Sequence, residues 1–399
     1  MSRTVPLARL RNIGILAQLD AGRTTTTERI LAAARPASPA PSARGAAAVW
    51  LEPDARGITL TSAATQCAWR DHYLTIVELP GGGAFATVGE RALKVVDAVV
   101  TVLDSVSGVE PMTETAWRKA DTQGLARVAF VNKLDRDGAD FASCVAALDG
   151  RLGAKPVVLQ LPIGLGAGFV GVVDLVRMRA TLWRDGTSAG FVEGEIPAEM
   201  AAEATEYRGK LIVAFGDLAP ADMKAAIREA TLAHRAVPVL CGSAFRNKGI
   251  PALLDAIVDF LPTPAELPGV EATMGDVVVT RHCSDDEPVS ALAFEAMDEP
   301  AVGHLTFVRV FSGVLSTGAE VLNTVSGGVE KIGRMVRMHA DRREEVTEAL
   351  AGDIVALADL AHTKTGDTLS DPTAPIVFDR TPTRAPGAQH PTRASGAQH

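Results

Sequence analysis

Large rings are scarce in this chain: aromatics are 5% of 399 residues, with only two tyrosines. The cores must therefore be built mainly from Ala, Val and Leu. The four cysteines, Cys67, Cys144, Cys241 and Cys283, are widely spaced and include no C-x-x-C pair. That pattern argues against a zinc site and reads as reduced thiols in a cytosolic protein. Positive charge is also short, with 39 Lys and Arg against 48 Asp and Glu and a net charge of −9. Bulk attraction to free DNA is thereby excluded, although local patches can still dock on a larger particle. No uninterrupted apolar segment is long enough for export or for crossing a bilayer, so no membrane partner is expected. What remains is a globular chain, 47% hydrophobic, of a length that suits two or three domains.

Apolar β-type runs alternate with helical stretches up to about residue 262, the rhythm of a doubly wound, mostly parallel α/β sheet. Strands are predicted near 12–17, 74–78, 98–104, 127–131 and 236–240, most of them ending in a polar or Gly loop, where such folds place ligands. The rhythm breaks at about 155–232, where Ala198 to Ala214 and Ala219 to Ala233 look helical. Pro262 to Leu267 marks a boundary, and 263–284 is expected as a linker. Short strands with Gly turns then fill 285–378, as an antiparallel β-barrel would. Arg334, Arg337, Arg342 and Arg343 form a basic cluster there, either a solvated face or a contact for RNA phosphates.

Three loops carry chemistry. In Asn132-Lys133-Leu134-Asp135, the Asp135 carboxylate can accept hydrogen bonds from guanine's ring N–H and exocyclic amine, a donor pair adenine lacks. A charge-assisted bond of this kind is worth about 1.5–3 kcal/mol, enough to choose a base. Read alone, four residues fit a polar strand-to-helix turn equally well. The second loop is Ala17-Gln18-Leu19-Asp20-Ala21-Gly22-Arg23-Thr24-Thr25, a strand running into a Thr-rich helix start. Backbone N–H groups at such a helix start converge on an anion. Against the pattern G-x-x-x-x-G-K-[ST], Ala17 replaces the first Gly and Arg23 the Lys, while Gly22 and Thr24 remain. The plainer alternative is a strand–turn–helix whose threonines cap the helix. The third loop, Ser243-Ala244-Phe245, follows an apolar run and is either an ordinary turn or a backbone donor to guanine O6.

Together with longer segments these loops resemble bacterial elongation factor G. The matching stretches are Arg11 to Ile15, Thr24 to Leu31, Arg56 to Thr59, Asn132 to Asp135 with Gly138 to Phe141, and Cys241 to Gly249. Further matches are Pro288 to Phe294, Gly303 to Leu315, Met338 to Glu345 and Gly366 to Leu369. The resemblance implies a P-loop GTPase domain over 1–262 with an insertion subdomain at about 155–232, followed by a second-domain barrel. It implies GTP or GDP as ligand, Mg²⁺ held by Thr24 and Thr59, the ribosome as partner, a monomer, and a cytoplasmic location. It ends near residue 378, whereas full members carry three further domains, so a truncated and divergent member is expected. Residues 379–399 contain a near-repeat, Pro382 to His390 and Pro391 to His399, expected to be disordered.

Departures from the family bear on catalysis. The segment Glu78-Leu79-Pro80-Gly81-Gly82 stands where the family has D-T-P-G-H. Gly82 thus occupies the place of the water-positioning His, and Glu78 that of an Asp reaching Mg²⁺ through water. Gln18 replaces a further family His. The stretch 35–48, where a switch loop belongs, is Ala-, Pro- and Ser-rich and reads as disordered. Three functions fit: a slow GTPase, a guanine-nucleotide-binding competitor at the ribosomal factor site, and a decaying paralogue.

Overall fold

The computed structural model describes residues 3, 5–34, 64–80, 88–183, 190–299, 303–339 and 343–378. Thr59, Gly81, Gly82, the stretch 35–48 and the tail 379–399 lie outside these residues.

In chain order the first domain comprises β1 (Leu10–Ala17), α1 (Arg23–Ala33), β2 (Ala64–Trp69), β3 (His72–Glu78), α2 (Val88–Val95), β4 (Ala98–Asp104), α3 (Pro111–Thr122), β5 (Ala126–Asn132) and α4 (Phe141–Gly150). Next come β6 (Pro156–Val158), β7 (Gln160–Ile163), β8 (Gly171–Asp174), β9 (Arg179–Trp183), β10 (Phe191–Gly194), α5 (Ala201–Phe215), α6 (Pro220–Leu232), β11 (Val237–Cys241) and α7 (Ile250–Phe260). Seven strands form one sheet in the order β2-β3-β1-β4-β5-β11-β6, parallel except for β2. Strands β4, β5 and β11 are buried throughout. Their near-continuous apolar sequences follow from having both faces covered. Parallel strands bring the carboxyl ends of β1, β3, β4, β5 and β11 to one edge, where the three loops emerge.

Strands β7 to β10 make a separate antiparallel sheet. The bounds expected for the insertion, 155–232, also enclose β6, which pairs with β11, and α6, which packs on α7 and β11. The stretch 263–284, expected as a linker, is structured: β12 (Val270–Met274) and β13 (Val277–Arg281) form a hairpin.

The second domain contains β14 (Ser290–Glu299), β15 (Gly303–Ser312), β16 (Val314–Ser316), β17 (Glu320–Asn323), β18 (Val329–Lys331), β19 (Met335–Met338), β20 (Arg343–Val346), β21 (Glu348–Leu350), β22 (Ile354–Ala358) and β23 (Thr368–Ser370). Eight of these strands form an antiparallel sheet, and β16 pairs with β21. Among the described residues the α/β domain and the antiparallel domain keep separate sheets, touching by a bridge between Gln66 and His339.

Packing joins them. Leu16, Val77, Leu79 and Leu93 share one apolar cluster with Phe294, Phe307 and Met338. Beside it lies a buried ion pair, Arg309 Nη2 to Asp97 Oδ1 at 3.2 Å. Asn12 Nδ2 donates to Asp97 Oδ2 at 2.7 Å and to the Gly352 carbonyl at 3.0 Å. All four cysteines are free. Burial pushes the Cys67 and Cys144 thiols up to about 12 and Cys283 to about 11, which makes them poor nucleophiles at neutral pH. Among the described residues no helix is long and apolar enough to cross a membrane.

Candidate functional site

The loop after β1 turns sharply, with Asp20 at φ 60° and Gly22 at φ 95°. Helix α1 starts directly behind Gly22. Its first N–H groups have no partner within the helix, and the helix dipole adds positive potential there. A cleft of about 630 Å³ opens over this turn, lined by residues of 18–25, by residues of 132–136 and by Phe245.

Asn132, at the end of β5, holds the cleft together. Its Nδ2 donates to the Ala21 carbonyl at 2.9 Å, and its Oδ1 accepts from Ala244 N at 2.8 Å. One buried side chain thus ties the cradle, the Asn-Lys-x-Asp turn and the Ser-Ala turn. Leu134 is fully buried, and its N–H donates to the Gly242 carbonyl at 3.2 Å. The Leu134 carbonyl accepts from Gly166 N at 2.8 Å, so the insertion sheet braces this turn from outside. Lys248 Nζ, donating to the Phe169 carbonyl at 2.5 Å, braces the Ser-Ala turn in the same way.

Lys133 takes φ 65° and reaches back to Asp104 Oδ2 at 2.6 Å. Burial would raise the Asp104 carboxyl, but hydrogen bonds from Lys133 and the Val106 backbone outweigh it and hold Asp104 below the usual carboxylate range. Asp135 faces the cleft rim, and Arg246 Nε lies 3.3 Å from its Oδ2. The Arg246 side chain is 61% exposed. With its Arg246 end open to water and its Asp135 end 15% exposed, the ion pair is a weak one, worth about 1 kcal/mol or less. Phe245 is exposed at the same rim.

The Ser-Ala turn and Arg23 both have partners within the protein. The Ser243 and Ala244 N–H groups donate to the Lys248 carbonyl and to Asn132 Oδ1. These bonds brace the turn. Arg23 lines the cleft and also reaches to the end of β3. Its Nη1 donates to the Leu79 carbonyl at 2.6 Å, and its Nε lies 3.4 Å from Glu78 Oε2. Thr24 Oγ1 donates to the same Glu78 oxygen at 3.4 Å. Burial pushes the Glu78 carboxyl up, and the adjacent Arg23 charge opposes that shift. Gln18 is locked by Ser107 Oγ at 2.8 Å and Thr113 Oγ1 at 2.5 Å. Ala17 and Pro80 are buried, whereas Leu19 is exposed and Thr25 lines the cleft.

Among the described residues, Thr24 and Glu78 do not fit a divalent cation. The Glu78 carboxylate already carries a guanidinium, its Oε1 is buried with no hydrogen-bond partner, and a metal at Thr24 would meet that fixed positive charge. Of the barrel arginines, Arg337 pairs with Asp353 at 3.0 Å, and Arg342 lies outside the described residues. Arg334 and Arg343 also have partners, so this face is partly neutralised.

A positive-φ loop feeding a helix, facing an Asn-Lys-x-Asp turn on a doubly wound sheet, defines a P-loop nucleotide-binding domain, here joined to an antiparallel second domain. Residues 8–263 match the elongation factor Tu GTP binding domain, and residues 303–370 match elongation factor Tu domain 2. The chain belongs to this family of translation-factor GTPases. A crystal structure of a Thermus thermophilus protein superposes with a TM-score of 0.76 at 23% identity, over 91% of this chain and 54% of that one. At that identity the likeness is one of fold. The chain spans about half the length of that protein.

Arg136 lines the cleft and Asp104 pairs with Lys133 beside it, neither marked by a local motif, while Arg246 and Lys248 fell only within the longer matching stretch Cys241 to Gly249. Asp104 offered one signal: it is the charged residue that ends the apolar run of β4.

Proposed function

We propose that this chain is an elongation factor G-like protein of translation that binds guanine nucleotides and hydrolyses GTP slowly. The observation that carries the reading is Asn132, which joins three distant loops around one cleft with Asp135 at its rim. Asp135→Asn tests the base. Losing the carboxylate should weaken GDP binding by about ten- to a hundredfold, the worth of one charge-assisted bond. It should also favour xanthine nucleotides, since an amide can donate to xanthine's additional carbonyl. Equilibrium titration with labelled GDP, with ATP and XDP as competitors, measures both. Wild-type protein that binds ATP as tightly as GDP would remove the guanine reading.

Slow turnover is supported by Arg23, whose guanidinium is anchored on Glu78 and Leu79. Gly82 adds to this, because it offers no side chain to orient a water. Loss of such a positioned group costs about 10²–10⁴ in rate. Single-turnover hydrolysis should therefore be weak and barely stimulated by ribosomes. Gly82→His alone should recover little, and combining it with Arg23→Lys and Glu78→Asp should recover more than the single changes together. Ribosome-stimulated turnover at the rate of an ordinary factor would overturn the slow-enzyme reading. The anchored Arg23 also favours a second reading, a non-hydrolysing regulator or competitor at the ribosomal factor site, and undetectable hydrolysis with tight GTP binding would select it.

A further inference from the structure

We propose that Arg23 is a built-in cation that takes the place of a divalent metal beside the phosphate cradle, so that nucleotide binding by this chain does not depend on Mg²⁺. The inference rests on the nucleotide-binding reading above and specifies how the cleft handles phosphate charge. The Arg23 side chain is 12% exposed and the Glu78 side chain 3%, so the pair is shielded from water. Two groups at the end of β3 fix its position: the Leu79 carbonyl accepts from Nη1 at 2.6 Å, and the Glu78 carboxylate lies 3.4 Å from Nε as an ion pair without a hydrogen bond. A carboxylate and a threonine hydroxyl side by side would ordinarily be hard oxygen ligands for Mg²⁺. Here Thr24 Oγ1 and Arg23 Nε both approach the same Glu78 oxygen. A metal entering between them would have to displace the guanidinium or sit against it.

Displacement by deprotonation is closed, because a guanidinium keeps its proton in proteins. A Lys could swing out on its flexible stem. The planar fork of Arg23 is held by one hydrogen bond, to the Leu79 carbonyl, and by the nearby Glu78 charge. That fork carries five N–H donors, of which the Leu79 carbonyl engages one by hydrogen bond. Donors are left for phosphate oxygens arriving at the start of α1, and Arg–phosphate bonds are charge-assisted. The remaining phosphate charge meets the dipole and open N–H groups of that helix. One residue would thus provide the positive charge a metal supplies elsewhere, with Glu78 acting as its anchor.

The test is equilibrium titration of the full chain with fluorescent GDP, in saturating Mg²⁺ and in excess EDTA. Binding of Mn²⁺ to the protein–GDP complex, followed by its paramagnetic signal, gives a second readout. Wild-type affinity should change by less than about threefold between the two conditions, and the complex should hold Mn²⁺ no more tightly than free GDP does. The double variant Arg23→Lys/Glu78→Asp should lose about tenfold or more in EDTA and should gain Mn²⁺ binding. Wild type that loses tenfold in EDTA, or sequesters Mn²⁺ with GDP, overturns the built-in cation and leaves the nucleotide reading intact. Absence of binding in both conditions overturns both. If the double variant does not fold, as circular dichroism would show, the two wild-type measurements still decide.

Discussion

Asp97→Ala is expected to destabilise the protein by about 3–5 kcal/mol, the cost of stranding one partner of a buried ion pair. Arg309 is 2% exposed and Asp97 3% exposed, and they meet where the two domains pack. Arg309 Nε and Nη1 already lack hydrogen-bond partners, so its charge leans on Asp97. Removing the carboxylate also takes the acceptor at 2.7 Å from Asn12 Nδ2, leaving that buried amide one bond fewer. The loss thus falls on both domains at once. Replacing both partners with apolar residues, as in Asp97→Leu/Arg309→Met, should be far milder, because well-packed apolar pairs often match a buried ion pair. Urea denaturation followed by circular dichroism gives the comparison. A cost below about 1 kcal/mol for Asp97→Ala would show that water or a backbone shift compensates the guanidinium.

Gly22→Ala is expected to abolish measurable nucleotide binding while leaving most of the fold intact. A Cβ at this position would lie 2.4 Å from Asn132 Nδ2, in a backbone at φ +95° that side chains rarely adopt. Strain of this kind costs about 1–3 kcal/mol. It would also push Asn132 off the Ala21 carbonyl, which opens the cradle. Gly124→Ala is the matched control, since Gly124 has φ +59° and nothing within 4 Å of an added Cβ. Gly124→Ala should cost some stability and leave GDP affinity unchanged. Binding by Gly22→Ala within about threefold of wild type would mean that the cradle is not where phosphate sits.

Strands β1, β3, β4, β5 and β11 were legible because each buries long apolar runs. Strand β2, Ala-Thr-Gln-Cys-Ala-Trp, was not, since an antiparallel edge strand buried on one side carries a weaker pattern. The hairpin of β12 and β13 was hidden behind the Pro-rich boundary. Its own signal was present: an alternating apolar-polar run, 270–274, and a β-branched run, 277–281, flank the turn pair Gly275-Asp276. At the site, Asn132, Asp135 and Gly22 stood out by type and spacing, and the structure brings all three to one cleft. The double bonding of Asn132, the Asp104–Lys133 pair and the orientation of Arg23 were not readable, because each depends on a partner dozens of residues away. The departure from a phosphate-binding Lys was visible as a substitution. Only the position of the Leu79 carbonyl shows where the new side chain goes.

The two Asn132 hydrogen bonds close loops of 111 and 112 residues. Closing loops of that length costs conformational entropy that other contacts must offset. A nascent chain has no finished cleft until Ala244 has been added and β11 has slotted beside β5. Throughout that interval the half-built sheet is without the brace that sets the shape of its loops, and any ligand that stabilises the fold can act only on the completed first domain.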